Sequence, residues 1–273
     1  MREGERRLSA GARAPVCRYT REMPHAMAAF CTAAALAAGN GSFDHSAFDR
    51  LLKAHVVDGM VDYDAFARAP GFPGYLDQLA GARPETLSTK EQLAYWINVY
   101  NAYTIQLVNA HKERKSIRNI NKTLGVLKAM GPWKEEIVRA GGQTMSLDHV
   151  EHEIIRKRFQ EPRIHFALVC AARSCPPLRR KAYTGERLEA QLDDQARVFI
   201  AQSPDKNRVD VATATAYLSP IFTWFKEDFG PDLGRFLARY VPDGPGRRLL
   251  ESGRFKTVET PYDWTLNSAP ARR

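Results

Sequence analysis

The chain has 273 residues, with 40 Lys+Arg against 31 Asp+Glu, a formal charge of +9, 44% hydrophobic and 10% aromatic residues. This length and composition supply a full-sized apolar core and exclude an intrinsically disordered or collagen-like chain. No apolar run reaches the roughly 18–20 residues that cross a bilayer, so no transmembrane segment is expected.

The first 38 residues stand apart. Arg2, Arg6, Arg7, Arg13, Arg18 and Arg21 precede the apolar stretch Ala26–Ala38, which ends in small residues around Ala35-Leu36-Ala37. A basic region, a short apolar region and an A-x-A end form the pattern of a secretory signal peptide. Residues 1–38 are therefore expected to be a leader, with translation starting at Met1, Met23 or Met27, and the protein to be periplasmic or secreted. The competing reading is an Ala-rich first helix of a cytoplasmic protein. Phe30, just before Cys31, is too bulky for a lipid-anchor site. Losing the leader removes six Arg and three Glu and lowers the charge from +9 to +6. The remaining basic residues are scattered without aromatic interleaving, so no nucleic-acid partner is expected. Of the four cysteines only Cys170 and Cys175 then remain, as a small-loop disulfide or a reactive site.

Further along, Asp44 to about Val57 has helical period, with Gly59 as its stop. The strongest helix starts at Ser88, where Ser88 and Glu91 form a capping box, and runs to about His111. Lys134 to Ser146 reads as a hairpin turning at Gly141-Gly142. Ser146 or Asp148 then caps a helix to about Phe159. Ile164–Cys170 is a nearly continuous apolar run, expected to be a buried strand. A polar helix follows over roughly Gly185–Gln202, then a second hairpin over Arg208–Ser219 and a helical stretch from Pro220 to Phe229. These elements make a single helix-rich α+β domain with a small, mainly antiparallel sheet, spanning 43–267 and followed by a 268–273 tail.

Four clusters carry polar chemistry. Asn98 and Asn101, beside Tyr100 in the longest helix, are poor helix-interior residues on a partly apolar face, which implies either backbone ties or substrate binding. Asp148 and His152 stand at i,i+4, so the carboxylate can orient the imidazole; Glu151 and His149 lie between them. In HFALVCAARSCPP, His165 needs a partner inside an apolar run, and Cys175 lies on a loop braced by Pro176-Pro177 beside Arg173. His165 and Cys175 can form a thiolate–imidazolium pair; a Cys170–Cys175 disulfide is the alternative. In the C-terminal YDWTLN, Asp263 or Asn267 can supply an orienting third member, or the segment serves as an aromatic staple. His149 and His152 with Cys170 and Cys175 would make a tetrahedral zinc set, though at no standard spacing. No cofactor is indicated.

WINVYNAYT (96–104), SLDHVEH (146–152), HFALVCAARSCPPL (165–178), LSPIFTWFKEDFG (218–230) and YDWTLN (262–267) together resemble the family called domain of unknown function 547. The resemblance implies no established activity, and an export signal is common among bacterial members. The leading expectation is a cysteine-dependent hydrolase or acyl-transferase of papain- or transglutaminase-like logic, acting on an amide or thioester of a small molecule or peptide. Cys175 would be the nucleophile and His165 or His152 the base. Asp263, Asp148 or Asn267 would orient that base, and Asn98 or Asn101 would bind the oxyanion or substrate amide. Cys follows His here, the reverse of papain. The rivals are a thiol–disulfide redox protein, a non-enzymatic envelope- or protein-binding domain with a structural disulfide, and the zinc site.

Overall fold

The computed structural model describes residues 41–121 and 131–269. The expected leader lies outside the described residues. In chain order come α1 Ser46–His55, β1 Val56–Val57, β2 Met60–Val61, α2 Tyr63–Arg68, α3 Gly71–Gly81, α4 Thr89–Ala110, β3 Val138–Ala140 and β4 Gln143–Met145. A π-helical segment, His149–Ile155, runs into α5 Arg156–Phe159, and α6 Ile164–Ala167 and α7 Leu188–Ala201 follow. Then come β5 Arg208–Asp210, β6 Thr215–Leu218, α8 Ile221–Trp224, α9 Leu233–Ala238, α10 Pro245–Ser252 and β7 Lys256–Glu259.

Helix α4 is the axis of the core. Nearly every residue from Leu93 to Val108 is buried, as befits a helix that is apolar around its whole circumference. Ser88 caps it, its Oγ accepting from the Glu91 N–H at 3.4 Å. Glu91 does not complete the expected box; its carboxylate accepts instead from the Gly185 and Glu186 backbone N–H groups. The polar groups on α4 reach out to distant backbone. The Tyr95 hydroxyl donates to the Leu79 carbonyl (2.7 Å) and the Tyr103 hydroxyl to that of Arg139 (2.7 Å). Buried polar groups need such partners, and here each one also fixes a neighbouring segment.

Both expected hairpins are present: β3–β4 turns at Gly141-Gly142, and β5 pairs antiparallel with β6. β7 adds to β6 in parallel, giving the order β5-β6-β7, and β1–β2 forms a third small sheet. The described residues are thus a helix-rich α+β domain with small sheets. Helix α1 ends at His55 rather than at Gly59, because Asp58 and Gly59, with φ of 49° and 77°, make the turn of the β1–β2 hairpin. A Cβ on Gly59 would meet Pro177 Cβ at 2.2 Å, so this turn seats directly against the loop that follows Cys175.

One expectation is corrected. Ile164–Cys170 is not a strand: Ile164–Ala167 forms one helical turn, and the chain becomes extended only at Leu168. The turn is set from upstream, where Glu161 accepts from the Ile164 N–H through its carbonyl and from the Arg163 N–H through its carboxylate. The His165 N–H likewise donates to the Pro162 carbonyl. Burial on all sides had removed the polar alternation that separates a helical turn from a strand.

Candidate active site

Both cysteines line one cavity of about 210 Å³, together with His165, His152, Asp148, Glu151 and Tyr100. Long-range hydrogen bonds hold its walls together. Asn101 on α4 donates through Nδ2 to the Ala167 carbonyl (2.9 Å) and accepts at Oδ1 from the Val169 N–H (2.9 Å), holding the segment that runs from His165 to Cys170. The C-terminal YDWTLN segment runs antiparallel to the cysteine loop. The Arg173 N–H donates to the Thr265 carbonyl, the Ser174 N–H to that of Asp263, and the Asn267 N–H to that of Ala171. Ala171 is held at φ 65°, a conformation costly for a residue with a Cβ. Finally, the Lys206 ammonium donates to the Cys175 carbonyl at 2.8 Å.

Cys170 and Cys175 are joined by a disulfide. Cys175 is 2% exposed, whereas Cys170 is only half-buried. A disulfide sulfur cannot donate, so the Tyr262 O–H donates to the pair, standing 3.3 Å from each sulfur. Burial pushes the Tyr262 pKa up, which keeps that hydroxyl protonated. The Cys170 backbone N–H points at Cys175 Sγ, 3.1 Å away.

His165 is buried, and its Nε2 stands 2.6 Å from Asp228 Oδ2. The carboxylate can only accept, so Nε2 carries the proton and Nδ1 the lone pair. Arg156 clamps the same carboxylate through Nε (2.6 Å) and Nη2 (2.9 Å), and its Nη1 donates to His152 Nδ1 at 2.9 Å. The Arg156 bonds, then the His165 bond, hold Asp228 below the usual carboxylate range. The His165 ring stacks on Phe225 at 4.0 Å. Burial lowers its pKa to about 4, against the opposing pull of Asp228, so the ring is neutral at neutral pH. At the far side, the Tyr100 hydroxyl donates to Glu151, whose pKa burial pushes up.

This buried neutral imidazole gives a pH signature. His165 binds its proton near 6.5 when unfolded but only near 4 when folded, so between those values the unfolded state holds more protons. Stability is therefore expected to be fully present above pH 6.5 and to fall as pH drops toward 4, by about 3 kcal/mol for His165. His45, which burial lowers to about 3, adds to the same trend. Thermal unfolding at constant ionic strength checks this; a Tm unchanged from pH 7 to 4.5 would contradict it.

The other anticipated residues divide clearly. Asn98 bonds both the N–H and the carbonyl of Tyr183, and Asn267 Oδ1 accepts from the Tyr63 hydroxyl at 2.6 Å, so both are backbone and core ties. Asp263 is exposed; it accepts from the Thr265 N–H and receives no imidazole. Arg173 is exposed and joins the loop through its backbone. Asp148 lies 3.7 Å from His152 Nε2, at the expected i,i+4 spacing. His149 is exposed and does not line the cavity. Among the described residues no three His, Cys, Asp or Glu side chains are grouped to hold a metal ion, so the four proposed zinc ligands are not brought together. Asp228, Arg156 and Tyr262 are site residues that no local pattern singles out, although Asp228 lies in the 218–230 motif and Tyr262 in the 262–267 motif.

Residues 84–200 match the family described as Protein of unknown function, DUF547. That match supports the family resemblance over this segment. The DUF547 segment carries α4, the π-helical turn and both cysteines, while Asp228 and Tyr262 lie C-terminal to it. No curated protein and no solved structure matches the chain. No described helix is long and apolar enough to cross a membrane.

Proposed function

We propose that the cavity is a thiol–disulfide exchange site working through Cys170 and Cys175. The observation that carries this reading is the disulfide in the cavity wall, with one protonated hydroxyl, Tyr262, serving both sulfurs. Cys170 is the more exposed cysteine of the pair and lines the cavity, so its Sγ is assigned as the sulfur attacked. An incoming thiolate bonds to it as the Cys170–Cys175 bond breaks, and the electron pair leaves on Cys175 Sγ. That thiolate is received by the Cys170 N–H and the Tyr262 O–H. A second thiolate of the same substrate then attacks the substrate sulfur of the mixed disulfide and releases Cys170. The substrate dithiol is oxidised by two electrons and the protein pair reduced, the two substrate protons ending on the two protein sulfurs. The reverse sequence reduces a substrate disulfide. Export to an oxidising compartment, suggested by the leader-like N-terminus, keeps such a bond formed.

A hydrogen bond to a developing thiolate is worth about 1.5–3 kcal/mol. Tyr262→Phe is therefore expected to slow exchange with dithiothreitol by about tenfold or more. Quenched alkylation followed by mass measurement reads the rate, and an unchanged rate would remove Tyr262 from the mechanism.

The second reading is hydrolysis or acyl transfer by a reduced Cys175. It is favoured by the His165–Asp228 pair, an imidazole base with its orienting carboxylate that exchange does not require. A reduced protein that forms an acyl adduct on Cys175 from a simple thioester would support it.

A further inference from the structure

The geometry points to a peptide cysteine flanked by an aromatic or large apolar side chain as the substrate of this site, with small anionic thiols disfavoured. This inference rests on the exchange reading above. The cavity, at about 210 Å³, is smaller than the roughly 300 Å³ at which sites for whole small molecules begin, and has room for one side chain beside the disulfide. Its walls include Trp133, Trp224, Phe225, Tyr262 and Trp264. Trp224 packs at 4.8 Å from Tyr262 and 5.8 Å from Trp264, yet is 48% exposed, leaving an indole half-uncovered beside the sulfurs. Such uncovered aromatic surface gains most from an apolar partner.

Charge selects in the same direction. The titratable side chains lining the cavity besides the cysteines and tyrosines are Asp148, Glu151, His152 and His165, and no Lys or Arg is among them. Arg156 is held by Asp228, the Lys206 ammonium by the Cys175 carbonyl at 2.8 Å, and Arg118 stacks over the Trp264 ring at 5.1 Å; none of the three lines the cavity. Glutathione, with two carboxylates and one ammonium, would meet two carboxyl groups in the lining and no lining cation. The Trp133 indole N–H is buried with no partner among the described residues, so this wall offers the ligand the ring and not a donor.

The test uses the full chain and reads mixed-disulfide formation by intact mass, with thiolate concentrations matched. The probes are glutathione and capped tripeptides Gly-Cys-Gly and Gly-Cys-Trp, with dithiothreitol as reference. The Trp peptide is expected to react about tenfold or more faster than the Gly peptide, and glutathione more slowly than either. Trp224→Ala should bring the Trp/Gly ratio near one, and Trp224→Phe should restore most of it. If dithiothreitol reacts but the three thiols are equivalent, the substrate assignment is overturned and the exchange reading stands. If dithiothreitol leaves the native disulfide intact, both fall together.

Discussion

Cys170→Ser and Cys175→Ser are expected to abolish exchange equally and to lower stability equally, yet to leave thiols of very different reactivity. Each removes the same disulfide, which closes a short loop and contributes about 2 kcal/mol, or roughly 4–8 °C in Tm. With Cys175 replaced, the remaining Cys170 is half-buried at the cavity wall and should be alkylated readily. With Cys170 replaced, the remaining Cys175 is 2% exposed and reacts only when the loop opens. The expected difference in alkylation rate of the native variants is about tenfold or more. Equal rates would contradict the assignment of Cys170 as the attacked sulfur. A faster Cys175 would favour the nucleophile role first expected for it.

The second large effect lies at Asn101, which the sequence marks as an unusual helix-interior residue, either a backbone tie or a substrate ligand. Its side chain is the sole partner shown for the Val169 N–H and bonds the Ala167 carbonyl, on the stretch between His165 and Cys170. Asn101→Ala leaves both buried backbone groups without a partner, at about 1–3 kcal/mol each. A loss of about 4 kcal/mol in urea-unfolding stability is expected. Asn101→Asp should recover only part of it, since a carboxylate keeps the acceptor and loses the donor. A loss below about 0.5 kcal/mol for Asn101→Ala would show that the tie does not organise the site.

These residues show what was legible beforehand and what was not. The capped α4, the Gly141-Gly142 hairpin and the second hairpin follow from local rules, because caps and turn glycines act within a few residues of chain. Asn98 and Asn101 were visible as anomalies, but only the fold says that they bind Tyr183 and the Ala167–Val169 backbone. The His165 segment was misread because a run buried on all sides has no polar face to reveal its period. The π-helical turn at His149–Ile155 left no spacing signal distinct from an ordinary helix. The partner of His165 was sought at Asp263, Asp148 or Asn267, whereas Asp228 fills that role from 63 residues away. Arg156 joins it from 72 residues away. Contacts over such distances come from tertiary closure around α4, which no local pattern encodes. Tyr262 belongs to the YDWTLN segment, for which the sequence offers an aromatic staple. The antiparallel seating of that staple on Ala171–Ser174 gives its hydroxyl to the sulfurs.

The most direct test of the exchange reading is a time course of thiol exposure in the folded chain. Native protein is incubated with dithiothreitol, quenched with iodoacetamide, and mapped by peptide mass, with circular dichroism recorded in parallel. The reading predicts that Cys170 and Cys175 become labelled together, at a rate proportional to dithiothreitol concentration, while the fold is retained. A pair that stays bonded until denaturant unfolds the protein would contradict it and leave the disulfide a purely structural clamp.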